Sequence, residues 1–191
     1  MRYFELKKLI LCGVFTAFGV LLPMIFHAFN LGKVMLPMHI PVLFCGLICG
    51  MMFGAACGIL SPLLSSFLTG MPPIYPIGVS MIFELCFYGF FAGFFMFLFK
   101  RDKIVFIYIS LILAMIIGRV LAFFTQGLLL GFKEDALNVY ISSGIIVSIP
   151  GIAVQIILIP PLSRFLFYYA KISYTPLSAK RSKEKINSKI I

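Results

Sequence analysis

Residues 36–73 read LPMHIPVLFCGLICGMMFGAACGILSPLLSSFLTGMPP, with Gly46, Gly50, Gly54 and Gly58 spaced four apart in an apolar run. Glycine at every fourth position lets helix backbones approach closely, which is how helices associate in lipid. The run is bracketed by Pro37, Pro41, Pro62, Pro72 and Pro73. Breaks of this kind are tolerated at membrane depth only where protein or a polar cavity satisfies the freed backbone groups. The segment predicts a polytopic membrane protein with an irregular, cavity-forming region.

Composition points the same way. Of the 191 residues, 62% are apolar and 12% charged, against about 25% charged in a soluble domain. A net charge of +10 could suit nucleic acid, but the charges gather in clusters that flank apolar blocks. The chain has no Trp, so an aromatic belt at the membrane interfaces falls to Tyr and Phe. Cys12, Cys45, Cys49, Cys57 and Cys86 all lie in apolar stretches without metal-site spacing to His, and read as small membrane-core residues. A cleaved signal peptide is not expected, because the first apolar block is longer than a signal h-region and no small-x-small site follows it.

Apolar blocks fall near 9–29, 40–69, 77–99, 104–130 and 143–169. The second would be roughly 45 Å long as one helix, against a hydrocarbon core of about 30 Å. It is either one steeply tilted helix or two short ones. Basic clusters decide between them: Arg2, Lys7 and Lys8; Lys100, Arg101 and Lys103; and Lys171, Lys180, Arg181, Lys183, Lys185 and Lys189. The positive-inside rule places all three in the cytoplasm, which requires an even number of crossings before residue 100. Two helices turning near Gly50–Gly54 satisfy it. The expected fold is an all-α integral membrane domain over 1–171, with six transmembrane helices and both termini cytoplasmic. Residues 172–191 read as a basic, disordered cytoplasmic tail facing anionic lipid.

Glu84 and Arg119 are charges well inside apolar blocks, and charges at that depth face a bundle interior or a cavity. Their expected depths differ by roughly 6 Å, so their side chains can meet. An ion pair that fixes two helices and a site for a polar ligand both remain open. Arg119, Phe123 and Gln126 share one helix face, as do Ser80, Glu84 and Tyr88, and Ser148, Gly151 and Gln155. Three polar stripes at matching depth favour a pocket open to the outside, with Asn138, Tyr140 and His39 near its mouth. His39 and His27 have no second His or carboxylate at ligand spacing in the sequence, so no metal is expected. Small-x-x-x-small pairs recur at Gly13 and Ala17, and at Gly89 and Gly93. The first pair could serve an external partner helix.

The combination of LPMHIP, the glycine ladder, SPLLSS, TGMPP and MIFELCFYGFFAG (residues 81–93) resembles a substrate-binding S component of the energy-coupling factor (ECF) transporters. The resemblance covers roughly 9–169, with 36–93 carrying most of its specificity, and among the family's branches the chain looks closest to the group that includes candidate pantothenate transporters. It implies a high-affinity vitamin or micronutrient binder in a bacterial plasma membrane. It implies as partners one transmembrane coupling protein and two cytoplasmic ATPases. The family's ligand site lies toward the outside, between the fourth to sixth helices and the outer loops. Its coupling face on the first helix carries Ala-x-x-x-Ala where this chain has Gly13-x-x-x-Ala17.

The chain has no Walker A motif, so ATP hydrolysis must come from another subunit. No cofactor and no enzymatic activity are expected. An intramembrane enzyme built on Glu84 and Arg119 would need a second acid or His at that depth. A self-sufficient small transporter or channel would be favoured by an inverted repeat, but residues 9–69 and 104–169 share no obvious pattern.

Overall fold

The computed structural model describes residues 2–29, 31–99, 104–131 and 146–170, and these are all helical or connecting turns. Helix α1 spans Arg2–Ala28 and a single turn, α2, spans Gly32–Met35. Helices α3, His39–Cys49, and α4, Met51–Thr69, follow. A wide turn at Ile74–Gly78 feeds α5, Val79–Leu98. Helix α6 spans Ile104–Leu130 and α7 spans Ile149–Ala170. Lys100, Arg101, Lys103 and the basic tail lie outside the described residues.

Among the described residues, five helices are long and apolar enough to cross a membrane: α1, α4, α5 with its leading turn, α6 and α7. Helix α3 has only 11 residues, about 16 Å of rise. Every residue from Pro41 to Cys49 is buried, so lipid does not reach this helix. It is packed by α1, α4, α5 and α7.

The apolar block at 40–69 is two helices, broken at Gly50. Gly50 has φ 103° and ψ 175°, a backbone that side-chain-bearing residues rarely adopt. The glycine ladder is thereby folded into a hairpin, and both arms close on α5. An added Cβ at Gly46 of α3 or at Gly54 of α4 would strike the carbonyl of Gly89, and one at Gly58 would strike that of Leu85. On the facing side, a Cβ at Gly93 would strike the backbone of Gly50 and Met51. Pairing 58 with 85, 54 with 89 and 51 with 93 makes α4 antiparallel to α5. Pairing His39 with Glu84 and Gly46 with Gly89 makes α3 parallel to it. Apolar burial gains little where the solvent is itself hydrocarbon, so this close backbone contact supplies much of the attraction.

Small polar groups complete the packing. The Cys12 thiol of α1 and the Cys45 thiol of α3 both donate to the Phe53 carbonyl of α4, at 3.4 and 3.3 Å. The SPLLSS and TGMPP stretches also have a mechanical role. Ser65 Oγ donates to the Met71 carbonyl at 2.8 Å, and Ser66 Oγ to the Pro72 carbonyl at 2.7 Å. Neither Pro72 nor Pro73 has an N–H, so the hydroxyls anchor a loop that cannot build its own ladder.

Candidate functional site

The end of the bundle that carries α2 and the Pro72–Pro73 loop holds the polar groups. Glu84 of α5 presents Oε1 to Arg119 Nη1 of α6 at 3.2 Å. The same oxygen lies 3.4 Å from His39 Nε2, at the first turn of α3. Arg119 Nη2 donates to Ser148 Oγ, just ahead of α7, at 2.9 Å. The side chains of His39, Glu84 and Arg119 are 3%, 14% and 16% exposed, so this is a shielded ionic cluster. Removing one partner from such a buried pair typically costs about 3–5 kcal/mol, because the other charge is left uncompensated.

Beside the cluster lies a cavity of about 440 Å³, within the range of roughly 300–1,000 Å³ usual for small-molecule sites. Ser80, Glu84, Arg119, Gln126 and the two imidazoles, His27 and His39, give it polar edges. Pro23, Met38, Pro72, Pro73, Ile77 and Met81 make up much of the apolar wall. Apolar walls with a few convergent polar groups suit a ligand with an apolar body and one polar end.

The expected site residues are distributed unevenly around this space. His39, Glu84, Arg119 and Gln126 line it, whereas Tyr88, Phe123 and Gln155 do not. Tyr88 is buried on α5 and packs edge-on against His39, with ring centroids 5.1 Å apart. Phe123 is half-buried and meets Phe124 edge-to-face at 5.9 Å. Gln155 is buried on α7, and its Nε2 is 3.5 Å from the Leu36 carbonyl. Leu36 has φ 47°, a left-handed backbone that is costly for a branched side chain. The α7 stripe therefore acts as a strap. Ser148 holds Arg119, Gln155 reaches Leu36, and Gly151 lets α7 close on the α2 backbone, where a Cβ would come within 2.6 Å of the Val34 carbonyl. Asn138 and Tyr140 lie outside the described residues.

Sequence spacing missed the contribution of α1 and α2. Pro23, His27, Gly32 and Leu36 all line the cavity. A Cβ at Gly32 would come within 2.6 Å of the His27 ring, so that glycine lets α2 close over His27. His39 also acquires a carboxylate partner 45 residues away, which local ligand spacing could not reveal. Among the described residues no group of three or more His, Cys, Asp or Glu could hold a metal ion.

Gly13 and Ala17 sit far from this site, on the exposed face of α1 with Leu6, Ile10, Val14 and Leu21. The opposite face, with Cys12, Thr16, Gly19, Val20 and Pro23, is buried.

No curated protein and no solved structure matches the chain. The profile of one family, described as ECF transporter, substrate-specific component, matches residues 7–163. That span takes in the cavity, the ionic cluster and most of α1 and α7. Its members are membrane subunits that bind a substrate for uptake, which suits a bundle of apolar helices around a small polar-edged cavity. The chain belongs to the family of ECF transporter substrate-specific components.

Proposed function

We propose that this subunit binds a vitamin or related micronutrient in the cavity beside Glu84, and delivers it through a separate module. That module consists of one transmembrane coupling protein and two cytoplasmic ATPases. The observation that carries the reading is the cavity itself, about 440 Å³ with an ionic cluster at its edge. His39, Glu84, Arg119 and Gln126 meet the ligand's polar end, while Tyr88 and Gln155 hold His39 and the α2 turn in place. The resemblance of the chain to the branch that includes candidate pantothenate transporters makes pantothenate the first ligand to test. Losing one hydrogen bond to a charged group, about 1.5–3 kcal/mol, weakens binding roughly 10- to 100-fold. Calorimetry on folded Arg119→Ala and Gln126→Ala variants should show losses of that order. Unchanged affinity in both would reduce the cluster to an interhelical ion pair.

In this reading the bundle crosses the membrane six times, with α3 as a short, protein-shielded crossing and both termini in the cytoplasm. The cavity then opens outward. A cysteine placed at position 102 should react only with reagent supplied from the cytoplasmic side; labelling from outside contradicts the six-crossing arrangement. The exposed Gly13 and Ala17 face of α1 is the surface offered to the coupling protein.

A further inference from the structure

We propose that residues 71–77 form an interfacial anchor: their outer side lies among the lipid headgroups of one leaflet, so that lipid rather than water backs this wall of the cavity. Met71, Pro72, Pro73 and Ile77 line the cavity. Ile74 and Tyr75 do not, yet they are 51% and 66% exposed, so their exposed sides face away from it. A loop in water carries charged or strongly polar side chains on such a surface. Here the sequence has no Asp, Glu, Lys or Arg between Lys33 and Glu84. The apolar surface also continues from the spanning helix that precedes the loop. Leu60, Leu64, Phe67 and Leu68 are exposed on α4, and the exposed Met71 extends their three- and four-residue spacing past the helix end. An apolar face that runs unbroken from a spanning helix into the next loop keeps the same neighbour along its length, and that neighbour is lipid.

The loop's backbone suits surroundings poor in water. Pro72, Pro73 and Pro76 have no N–H to satisfy. The Met71 and Pro72 carbonyls accept from Ser65 and Ser66. The Pro73 carbonyl accepts from the Gly78 N–H at 2.8 Å, and those of Ile74 and Pro76 accept from the Val79 N–H. The Met71 N–H donates to Thr69 Oγ1 at 3.2 Å. Water supplies such partners to a loop at an ordinary surface; away from water, each group left unpaired is costly. The hydrocarbon itself is no place for this segment, because irregular backbone facing lipid does not occur there. The headgroup boundary fits both limits. Tyr75 fits it as well, with a ring that prefers the acyl side and a hydroxyl that prefers the wet side. In a chain without Trp it takes a belt position that Trp often fills. The partner of this surface is therefore a phospholipid leaflet.

Because the chain has no Trp, a single introduced indole reports on its own position. The full chain carrying Tyr75→Trp is reconstituted in phosphatidylcholine nanodiscs with bromine placed either high or low on the acyl chains. Ile116→Trp, at an exposed position midway along α6, is the mid-bilayer reference. A side chain seated about 5–10 Å into the headgroup boundary should be quenched roughly twofold more by the high bromines than by the low ones. The reference should show the reverse order. Acrylamide in the water should quench the indole at position 75 less than half as strongly as free tryptophan, roughly. Ile74→Cys adds no ring that itself seeks the interface. With the parent chain as background, its thiol should react with a charged maleimide roughly tenfold more slowly than glutathione, since the reactive thiolate needs water. Strong acrylamide quenching without a bromine effect, or a maleimide rate near that of glutathione, would put the loop in water and overturn the inference. Resistance to acrylamide and to both bromines would mean that protein covers the loop, which overturns it equally. Stronger quenching from the low bromines would place the loop in the hydrocarbon, against the same inference.

Discussion

Two sets of small residues share the same four-residue spacing and meet opposite surroundings. Gly46, Gly54, Gly58, Gly89 and Gly93 lie where one added carbon would strike the backbone of a neighbouring helix. Gly13 has nothing within 4 Å of that position, and Ala17 beside it is exposed. The contrast also runs across α1 itself, since Gly19 is turned inward against Ser61 and Pro41. Small-x-x-x-small spacing gives a helix permission for close approach but does not say to whom. In the interior set the partner is this chain, and the contact locks α3 and α4 onto α5. That lock sets His39 over Glu84. In the α1 set the described residues leave the face open, and the proposed coupling protein is what would meet it.

The same substitution made in each set should give opposite results. Gly89→Ala places a methyl against the Gly54 backbone, which cannot rotate away as a side chain would. Overpacking of this kind costs about 1–3 kcal/mol, outweighing the gain of roughly 0.5–1 kcal/mol that Ala brings to a helix interior. Because α3 and α4 both seat on Gly89, the shift should reach the His39–Glu84 contact. Thermal unfolding in detergent should show a lower midpoint, and calorimetry weaker ligand binding. Gly13→Ala meets open space, so its midpoint should hold or rise slightly. It also restores the Ala-x-x-x-Ala of the resembled family, and uptake should be unchanged. Similar destabilisation in both variants would erase the distinction between the two sets.

The sequence carried some of this arrangement and could not carry the rest. The block at 104–130 coincides with α6, because a long uninterrupted apolar run has few other ways to satisfy its backbone in lipid. Charge parity, rather than local pattern, demands a reversal in the block at 40–69, expected near Gly50–Gly54, and the structure breaks it at Gly50. Depth alone brought Glu84 to Arg119, as both lie on long helices whose rise per residue is fixed. His39 was different. Its meeting with Glu84 depends on α3 running parallel to α5, a fact of hairpin geometry that no spacing encodes. Gln155, expected in the pocket from its helical level, has its Nε2 3.5 Å from the Leu36 carbonyl. A helix position specifies a face; what stands opposite that face is decided by tertiary packing. Pro72 and Pro73 were legible as breakers, but not as cavity walls held by Ser65 and Ser66.

The separation of an inner ligand site from an outer coupling face is tested most directly with Ala17→Trp. The indole would extend from an exposed position on α1 and hold a partner helix away, at the expense of its packing contacts. The measurement is the ratio of uptake, in vesicles containing the coupling protein and both ATPases, to ligand affinity of the same purified variant. The account predicts affinity within about twofold of the parent chain and uptake reduced at least tenfold, with co-purification of the coupling protein lost in parallel. Affinity and uptake falling together would place Ala17 within the chain's own packing. Undiminished uptake would show that the face couples to nothing.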